Sequence, residues 1–266
     1  MTDEQIKLVE PILNTIENED IKEFATVLLN DIPDYIWHVP ASSTGKYHPA
    51  YSLGEGGLMR HQIAVVRFLN FFFELEQYNS KISSREMDLM RVAGLVHDGM
   101  KSGSQDQFYS NKYTKFDHPL QMAEMIRSYK DKYLTNEELE FVANVISRHM
   151  GEWCSDKKSD IVLPKPNDKF SRMLHLADYL SSRKCLTMDF DGYTVESVKP
   201  RNTKVEVDEN TLMSFGKYSG EKMIDVYYTH PDYIEWCEKN IHKPDIIATF
   251  KALREFIKKK ESEQNV

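Results

Sequence analysis

Through roughly the first 190 residues, apolar side chains recur at helical spacing between segments that open on helix-capping residues, so this stretch can bury a core only as packed helices. Asn18 precedes Glu19-Asp20 and an apolar face of Ile21, Phe24 and Leu28. Pro33, Pro40 and Pro49 punctuate a loop over 31–56 that closes on Gly54-Glu55-Gly56-Gly57. Leu58 to Tyr78 reads as one long helix carrying Val65, Phe68, Leu69 and Phe72 on a face, and Ser84 as the cap of the next, to Val96. Pro119 after Asp117 suits a first helical turn, and Thr135-Asn136-Glu137-Glu138 has the form of a capping box opening a helix to Met150. Asn167 or Asp168 caps a further helix through Cys185.

After Phe190 the texture changes. Tyr193, Val195 and Val198, then Val205 and Val207, alternate with polar residues as short strands do. Ser214 to Gly220 reads as a strand and turn, with helices expected over Pro231–Asn240 and Pro244–Lys260. The expected fold class is mostly α, with two domains: a helical bundle over 1–190 and a small C-terminal α+β module over 191–266. No apolar run of about 18 residues is present, so a membrane-spanning helix is not expected. The acidic, polar N-terminus does not read as a signal peptide. Three cysteines without a C-x-x-C pair point to a reducing, cytoplasmic setting.

Five segments of the helical region carry chemistry. His61 lies in the helix after Gly56-Gly57, His97-Asp98 ends an apolar helix, His118 starts a helix, His149 ends one, and Asp178 sits inside the last. Any one alone is more often an ordinary buried or surface residue than a ligand. The ordered set on consecutive helices is not something packing requires. Mixed imidazole and carboxylate donors suit a divalent transition metal, where an all-oxygen set would suit Mg or Ca. Six donors exceed one tetrahedral ion, and a carboxylate can bridge two ions about 3.5–4 Å apart that activate water and clamp a phosphate oxygen. Lys101, one turn past the His-Asp pair, is placed to neutralise a phosphoryl oxygen or protonate a leaving group.

These segments resemble the HD superfamily of metal-dependent phosphohydrolases, an all-α fold named for its His-Asp pair. The likeness covers about residues 45–185 and rests on Tyr47-His48-Pro49, Gly56-Gly57-Leu58-Met59-Arg60-His61, Leu95-Val96-His97-Asp98-Gly99-Met100-Lys101, Ser147-Arg148-His149-Met150-Gly151 and Leu176-Ala177-Asp178. It is similar in particular to the HD domain of bacterial 3′→5′ exoribonucleases. The resemblance implies an all-helical HD-domain bundle with two ions of Mn, Fe, Ni, Co or Zn. His61, His97, Asp98 and Asp178 would hold the first ion, and Asp98 would bridge to a second held by His118 and His149. Met100 replaces the usual aliphatic residue, and Arg148 stands where that subgroup often has a second histidine.

The implied function is hydrolysis of a phosphoester in a nucleotide or short single-stranded nucleic acid, as an exonuclease or a nucleotide phosphohydrolase or phosphodiesterase. Asp98 and Lys101 are the expected catalytic residues, with Lys46, His48, Arg148 and Arg183 near substrate. His175, one turn before Asp178, could face the same centre and is expected to be a ligand's hydrogen-bond partner or a core residue rather than a ligand. Two other classes remain open: a di-iron branch of the superfamily that activates O₂, and a nucleotide-binding sensor without turnover. With 34 basic against 42 acidic residues the net charge is −8, which disfavours a long duplex as partner. Met213–Gly220 followed by Pro231–Trp236 is similar to a short module appended to some exonucleases. Read locally, Gly216 and Gly220 are turns, Tyr218 and Trp236 a small core, and Lys217 a candidate nucleic-acid contact. Lys258–Lys260 reads as a helix C-terminus.

Overall fold

The computed structural model describes residues 1–42, 45–110, 113–190, 207–241 and 244–264. The chain divides into two compact units, Met1–Val198 and Lys199–Val266. The first unit holds α1 (Asp3–Leu13), α2 (Glu19–Asp31), α3 (Gly57–Glu74), α4 (Glu76–Asn79), α5 (Ser84–Val96), α6 (Gln105–Ser110), α7 (His118–Arg127), α8 (Asn136–Ser147) and α9 (Lys169–Ser181). The second holds α10 (Met223–Thr229), α11 (Pro231–Asn240) and α12 (Pro244–Gln264). The fold is mostly helical, as the periodicity predicts.

The caps explain where the helices begin. Asn18 accepts from the Ile21 amide at 3.1 Å to open α2, and Thr135 with Glu138 forms the capping box of α8. Asp168 opens α9. The α5 cap is Ser83 rather than Ser84, because Ser83 is the residue with a glutamate three positions on, at Glu86. The long helix expected to Tyr78 stops at Glu74: Leu75 turns extended, Asn79 Nδ2 donates to the Phe73 carbonyl, and α4 is a separate turn.

Helix α3 is the central pillar. It packs against α5 and α9, α5 packs against α2 and α8, and α7 pairs with α8. Leu58, Met59, Ile63, Val65, Val66 and Leu69 of α3 meet Leu89, Val92, Leu95 and Val96 of α5 within one continuous apolar core. Gly57 opens α3 directly against the backbone of Ser52, where a Cβ would collide with the carbonyl, so the turn before α3 admits no larger residue. Tyr35 is buried behind α5: its hydroxyl donates to the Gly103 carbonyl at 2.7 Å and accepts from the Ser102 amide at 2.9 Å. It thereby fixes the chain as it leaves the His-Asp turn.

In the second unit Val207, Met213, Met223, Val226, Ile234, Cys237, Phe250, Leu253 and Ile257 form a separate small core. The strand expected within Ser214–Gly220 is corrected here. Among the described residues this unit carries no strand; Ser214–Gly220 is a turn spanned by an isolated antiparallel bridge between Leu212 and Lys222. Tyr193, Val195, Val198 and Val205 lie outside the described residues. Tyr218 does pack, stacking on His230 at 4.4 Å, but Trp236 is exposed and is no core residue. Helix α12 continues past Lys258–Lys260, and Lys260 pairs with Glu209.

One buried charge ties three elements together. Asp88 of α5, 1% exposed, accepts from the amides of Glu17 and Asn18 ahead of α2 and from Arg91, which in turn donates to Asn70 of α3. Removing it strands two amides and a guanidinium. Asp88→Ala is expected to cost about 2–4 kcal/mol in urea unfolding, with Asp88→Asn losing less; a loss within error of zero would show that the network does not hold the bundle.

Candidate metal centre

Five separate stretches of the first unit deliver six side chains to one place. His61 lies on the inner face of α3. His97 closes α5 in helical conformation, and the chain then turns, with the Gly99 amide donating to the Val96 carbonyl at 2.8 Å, so that neighbouring His97 and Asp98 both face inward. His118 is the first residue of α7, His149 follows the end of α8, and Asp178 is in the last turn of α9. A helix end lets a side chain reach forward from the bundle wall, which is why three of the five stretches contribute from a terminus.

Asp98 sits at the middle. Its Oδ1 lies 3.0 Å from His118 Nε2 and 3.7 Å from His149 Nε2. Its Oδ2 lies 3.9 Å from His61 Nε2 and 3.7 Å from His97 Nε2. Asp178 Oδ1 completes that second side, 3.1 Å from His61 and 3.8 Å from His97. Ligands held about 2.1 Å from one ion at right or tetrahedral angles lie about 3.0–3.4 Å apart; the His118–Asp98 and His61–Asp178 pairs fall in that range, and the other four pairs are 0.3–0.5 Å wider than it. Donor atoms fall into overlapping groups, His61-His97-Asp98, His97-His149-Asp178 and Asp98-His118-His149, each within 4.8 Å.

The opposite ring nitrogens show why the inner ones are free to ligate. His97 Nδ1 donates to the Gly94 carbonyl at 2.8 Å, His118 Nδ1 to Lys115 at 2.6 Å and His149 Nδ1 to Ile146 at 2.8 Å. His61 Nδ1 meets the Ser181 hydroxyl at 3.1 Å; that hydroxyl spends its own proton on the Asp178 carbonyl, so it accepts from the ring. A carbonyl only accepts, so each proton is held on Nδ1 and each Nε2 offers a lone pair to the centre. The Nε2 atoms of His97 and His118 are buried without a hydrogen-bond donor. A lone pair facing a carboxylate at 3.0 Å is tolerable only with a cation between them. The donor set and its orphaned nitrogens therefore fit a divalent metal.

The electrostatics agree. Burial pushes the Asp98 carboxyl up, yet Lys101, His97 and His118 outweigh it and hold the group well below the carboxylate range. Asp178 is held low against burial by His61, His97 and His149. Burial, with His97 and His118 alongside, pushes the His149 imidazole down to about 3, and burial lowers His97 too. These are carboxylates kept anionic and imidazoles kept neutral, the protonation states that bind metal.

The other expected site residues divide. Lys101 Nζ donates to Asp98 Oδ2 at 2.5 Å. The His48 ring lies 5.8 Å from that of His61 and its Nε2 is 3.4 Å from the Ser182 hydroxyl; burial, with His61 and Lys101, brings it down to about 4. Lys46 and Arg183 both lie over the Tyr47 ring, at 4.6 and 5.5 Å. Arg148 is not brought to the centre: it donates to Asn144 and to the Lys165 carbonyl, holding the strand-like approach to α9. His175 supports rather than ligates, donating to the His149 carbonyl at 2.8 Å across Gly151, where any Cβ would strike its ring. Ser181 and Tyr35 are the positioning residues that sequence reasoning missed, since a serine on a helix and a tyrosine in a loop carry no signal of their partners.

Residues 58–183 match the HD domain family, a span containing all six candidate ligands, and residues 213–242 match the exodeoxyribonuclease X-like C-terminal family. No curated protein and no solved structure matches the chain. The HD match makes residues 58–183 similar to a domain of the metal-dependent hydrolase superfamily. None of the described helices is long and apolar enough to cross a membrane, and Cys154, Cys185 and Cys237 are free thiols.

Ser181→Ala removes the acceptor that holds His61 and is expected to weaken metal affinity about 10–100-fold with the fold intact; titration of metal into chelator-stripped protein checks this, and an unchanged affinity would remove Ser181 from the site. Metal-free protein should also lose stability in acid. Its unfolded chain takes up a His149 proton from about pH 6.5 downward that the fold refuses until about pH 3. Stability therefore falls as pH drops through that window. Asp98 and Asp178, depressed in the fold, add a further loss once pH drops below about 4. Thermal midpoints between pH 7 and 4 with chelator should decline steadily; a flat profile would contradict the burial argument.

Proposed function

We propose that this chain hydrolyses a phosphoester bond of a nucleotide or short single-stranded nucleic acid, with water as nucleophile. One observation carries the reading: Asp98 divides its two oxygens between two histidine pairs, each presenting Nε2 lone pairs inward. That division supports two ions, one held by His61, His97, Asp98 and Asp178, the other by Asp98, His118 and His149. Divalent ions bound there would acidify a water and neutralise phosphoryl oxygens.

The chain's own residues do the remaining work. The Nδ1 hydrogen bonds fix every ring before substrate arrives, so no reorganisation is needed at the reacting centre. Asp98 stays ionised and spans both sides. Lys101, tethered to Asp98 Oδ2, brings its ammonium beside the centre, positioned to stabilise phosphoryl charge or to give a proton to the leaving oxygen. His48, neutral above about pH 4, can meet a phosphate oxygen by hydrogen bond without competing for the ions. Asp178 marks the mouth: its side chain is 22% exposed, where the other five ligands are nearly sealed. The nucleic-acid part of the reading is supported by the match of residues 213–242 to a family whose name is that of an exodeoxyribonuclease.

The test is incubation of purified protein with Mn²⁺, a labelled single-stranded oligonucleotide and a panel of mononucleotides. Metal-dependent hydrolysis that chelator abolishes is the expected result. Lys101→Met should retain the metal stoichiometry while kcat falls about 100-fold. Hydrolysis indifferent to chelator, or stoichiometric iron with substrate-dependent O₂ uptake in place of hydrolysis, would overturn the reading.

A further inference from the structure

Only at Asp178 does the ligand set reach solvent, so whatever approaches the centre passes the surface around α9. That surface is unusual for exposed side chains. Trp153 and Tyr179 stack with ring centroids 6.0 Å apart and planes inclined by 11°. The Arg183 guanidinium lies 4.3 Å over the other neighbour of this stack, the Tyr179 ring, and 5.5 Å over Tyr47, while Lys46 lies 4.6 Å over Tyr47. The contacts thus run in series from Trp153 through Tyr179, Arg183 and Tyr47 to Lys46. The rings stay open to water all the same: Tyr47 and Trp153 are each 54% exposed and Tyr179 37%. Three large aromatic side chains left in solvent together, with two cations held among them, are costly for a surface with no partner.

Both ends of the series are tied to the metal ligands. At one end Trp153 packs on His175 at 5.8 Å, and His175 donates to the backbone of ligand His149. At the other, Tyr47 precedes His48, whose ring lies 5.8 Å from ligand His61. Between them Tyr179 directly follows ligand Asp178 on α9. The ladder therefore flanks the mouth of the centre instead of lying elsewhere on the unit. Arg183 keeps an Nε that is buried without a hydrogen-bond partner, a donor still to be used.

We infer that this ladder is a binding track for single-stranded nucleic acid, with bases stacking on Trp153, Tyr179 and Tyr47 and the sugar-phosphate backbone meeting Arg183 and Lys46. The inference rests on the phosphoester reading and narrows it, because a single nucleotide cannot occupy three rings. Stacking accepts any base, since every base has a π face, so the track tolerates sequence while requiring an unpaired strand. It also reconciles the acidic chain with a polyanionic partner: the attraction is local, made by two cations and the ions, and rings supply the rest.

The experiment is fluorescence anisotropy of a labelled eight-nucleotide strand, as RNA and as DNA, on the metal-loaded protein, with a phosphorothioate backbone to suppress cutting during the measurement. The unmodified protein should bind the strand more tightly than it binds a mononucleotide or the same sequence as a duplex. Trp153→Ala and Tyr47→Ala should each weaken binding about tenfold, and Trp153→Phe should restore most of the loss. Arg183→Gln should weaken binding and lower the slope of log affinity against log salt by about 0.7. All three side chains are at least partly exposed, so thermal midpoints should be unchanged, which a structural role would not allow. Equal affinity in every variant, or no binding of the strand by the unmodified protein, would overturn the track. Hydrolysis is scored separately: a protein that binds through the ladder but cuts nothing sinks the phosphoester reading and spares the track, and one that cuts with the ladder silent does the reverse.

Discussion

Burying four imidazoles and two carboxylates at one point is the condition to which the first unit's architecture answers. Desolvation alone would drive the acids to protonate, and facing lone pairs would drive the rings apart. The structure meets this by fixing each ring from outside: three backbone carbonyls and one serine hydroxyl take the Nδ1 protons. What remains inside is a cluster of acceptors with net negative charge, stable in the presence of cations and strained without them. The buried, donorless Nε2 atoms of His97 and His118 are the visible residue of that strain.

From this requirement the helix arrangement follows. A ligand in the middle of a helix can reach only the wall it packs against, whereas a ligand at a terminus can point along the axis into the bundle. α3 and α9, which flank the centre side by side, supply His61 and Asp178 from within their lengths; α5, α7 and α8 supply their residues from ends. The turn after α5 has the heaviest task, because two adjacent residues must both face inward. Tyr35 braces that turn through Ser102 and Gly103, and its own hydroxyl is driven upward in pKa by burial, so it remains a neutral donor there. Stability and chemistry thus depend on the same few loops.

Much of this is legible in the sequence, and the rest fails for physical reasons. Caps with a local partner, such as Asn18 and the Thr135–Glu138 box, are written within four residues and can be read directly. The ligand positions are legible because His-Asp at a helix end is a local pattern and the remaining ligands recur helix by helix. What escapes is anything settled by a distant partner. Arg148 looks like a substrate residue from its neighbour His149, but its fork is claimed by Asn144 and the Lys165 carbonyl, seventeen residues on. Ser181 becomes a positioning group only because His61, 120 residues earlier, is folded against it. Of the strand and turn expected over Ser214–Gly220 only the turn forms, because the two glycines at positive φ close the segment before a ladder can form.

The same logic bears on how an acidic chain recognises an acidic substrate. A basic surface attracts polyanions at long range but does not distinguish a single strand from a duplex, because phosphates are common to both. Here long-range attraction is given up, with 42 acidic against 34 basic residues. On the proposed track, recognition would rest on contacts that a duplex cannot make: ring faces that stack only on unpaired bases, beside the partly exposed Asp178. In such a site selectivity comes from what the surface lacks as much as from what it offers. A substrate must bring an exposed base to gain anything from Trp153 and Tyr179, and its phosphate must come within reach of Lys101 and the buried acids before charge begins to favour it. On that proposal the low overall charge would add to the discrimination, because it leaves nonspecific duplex binding without a driving force.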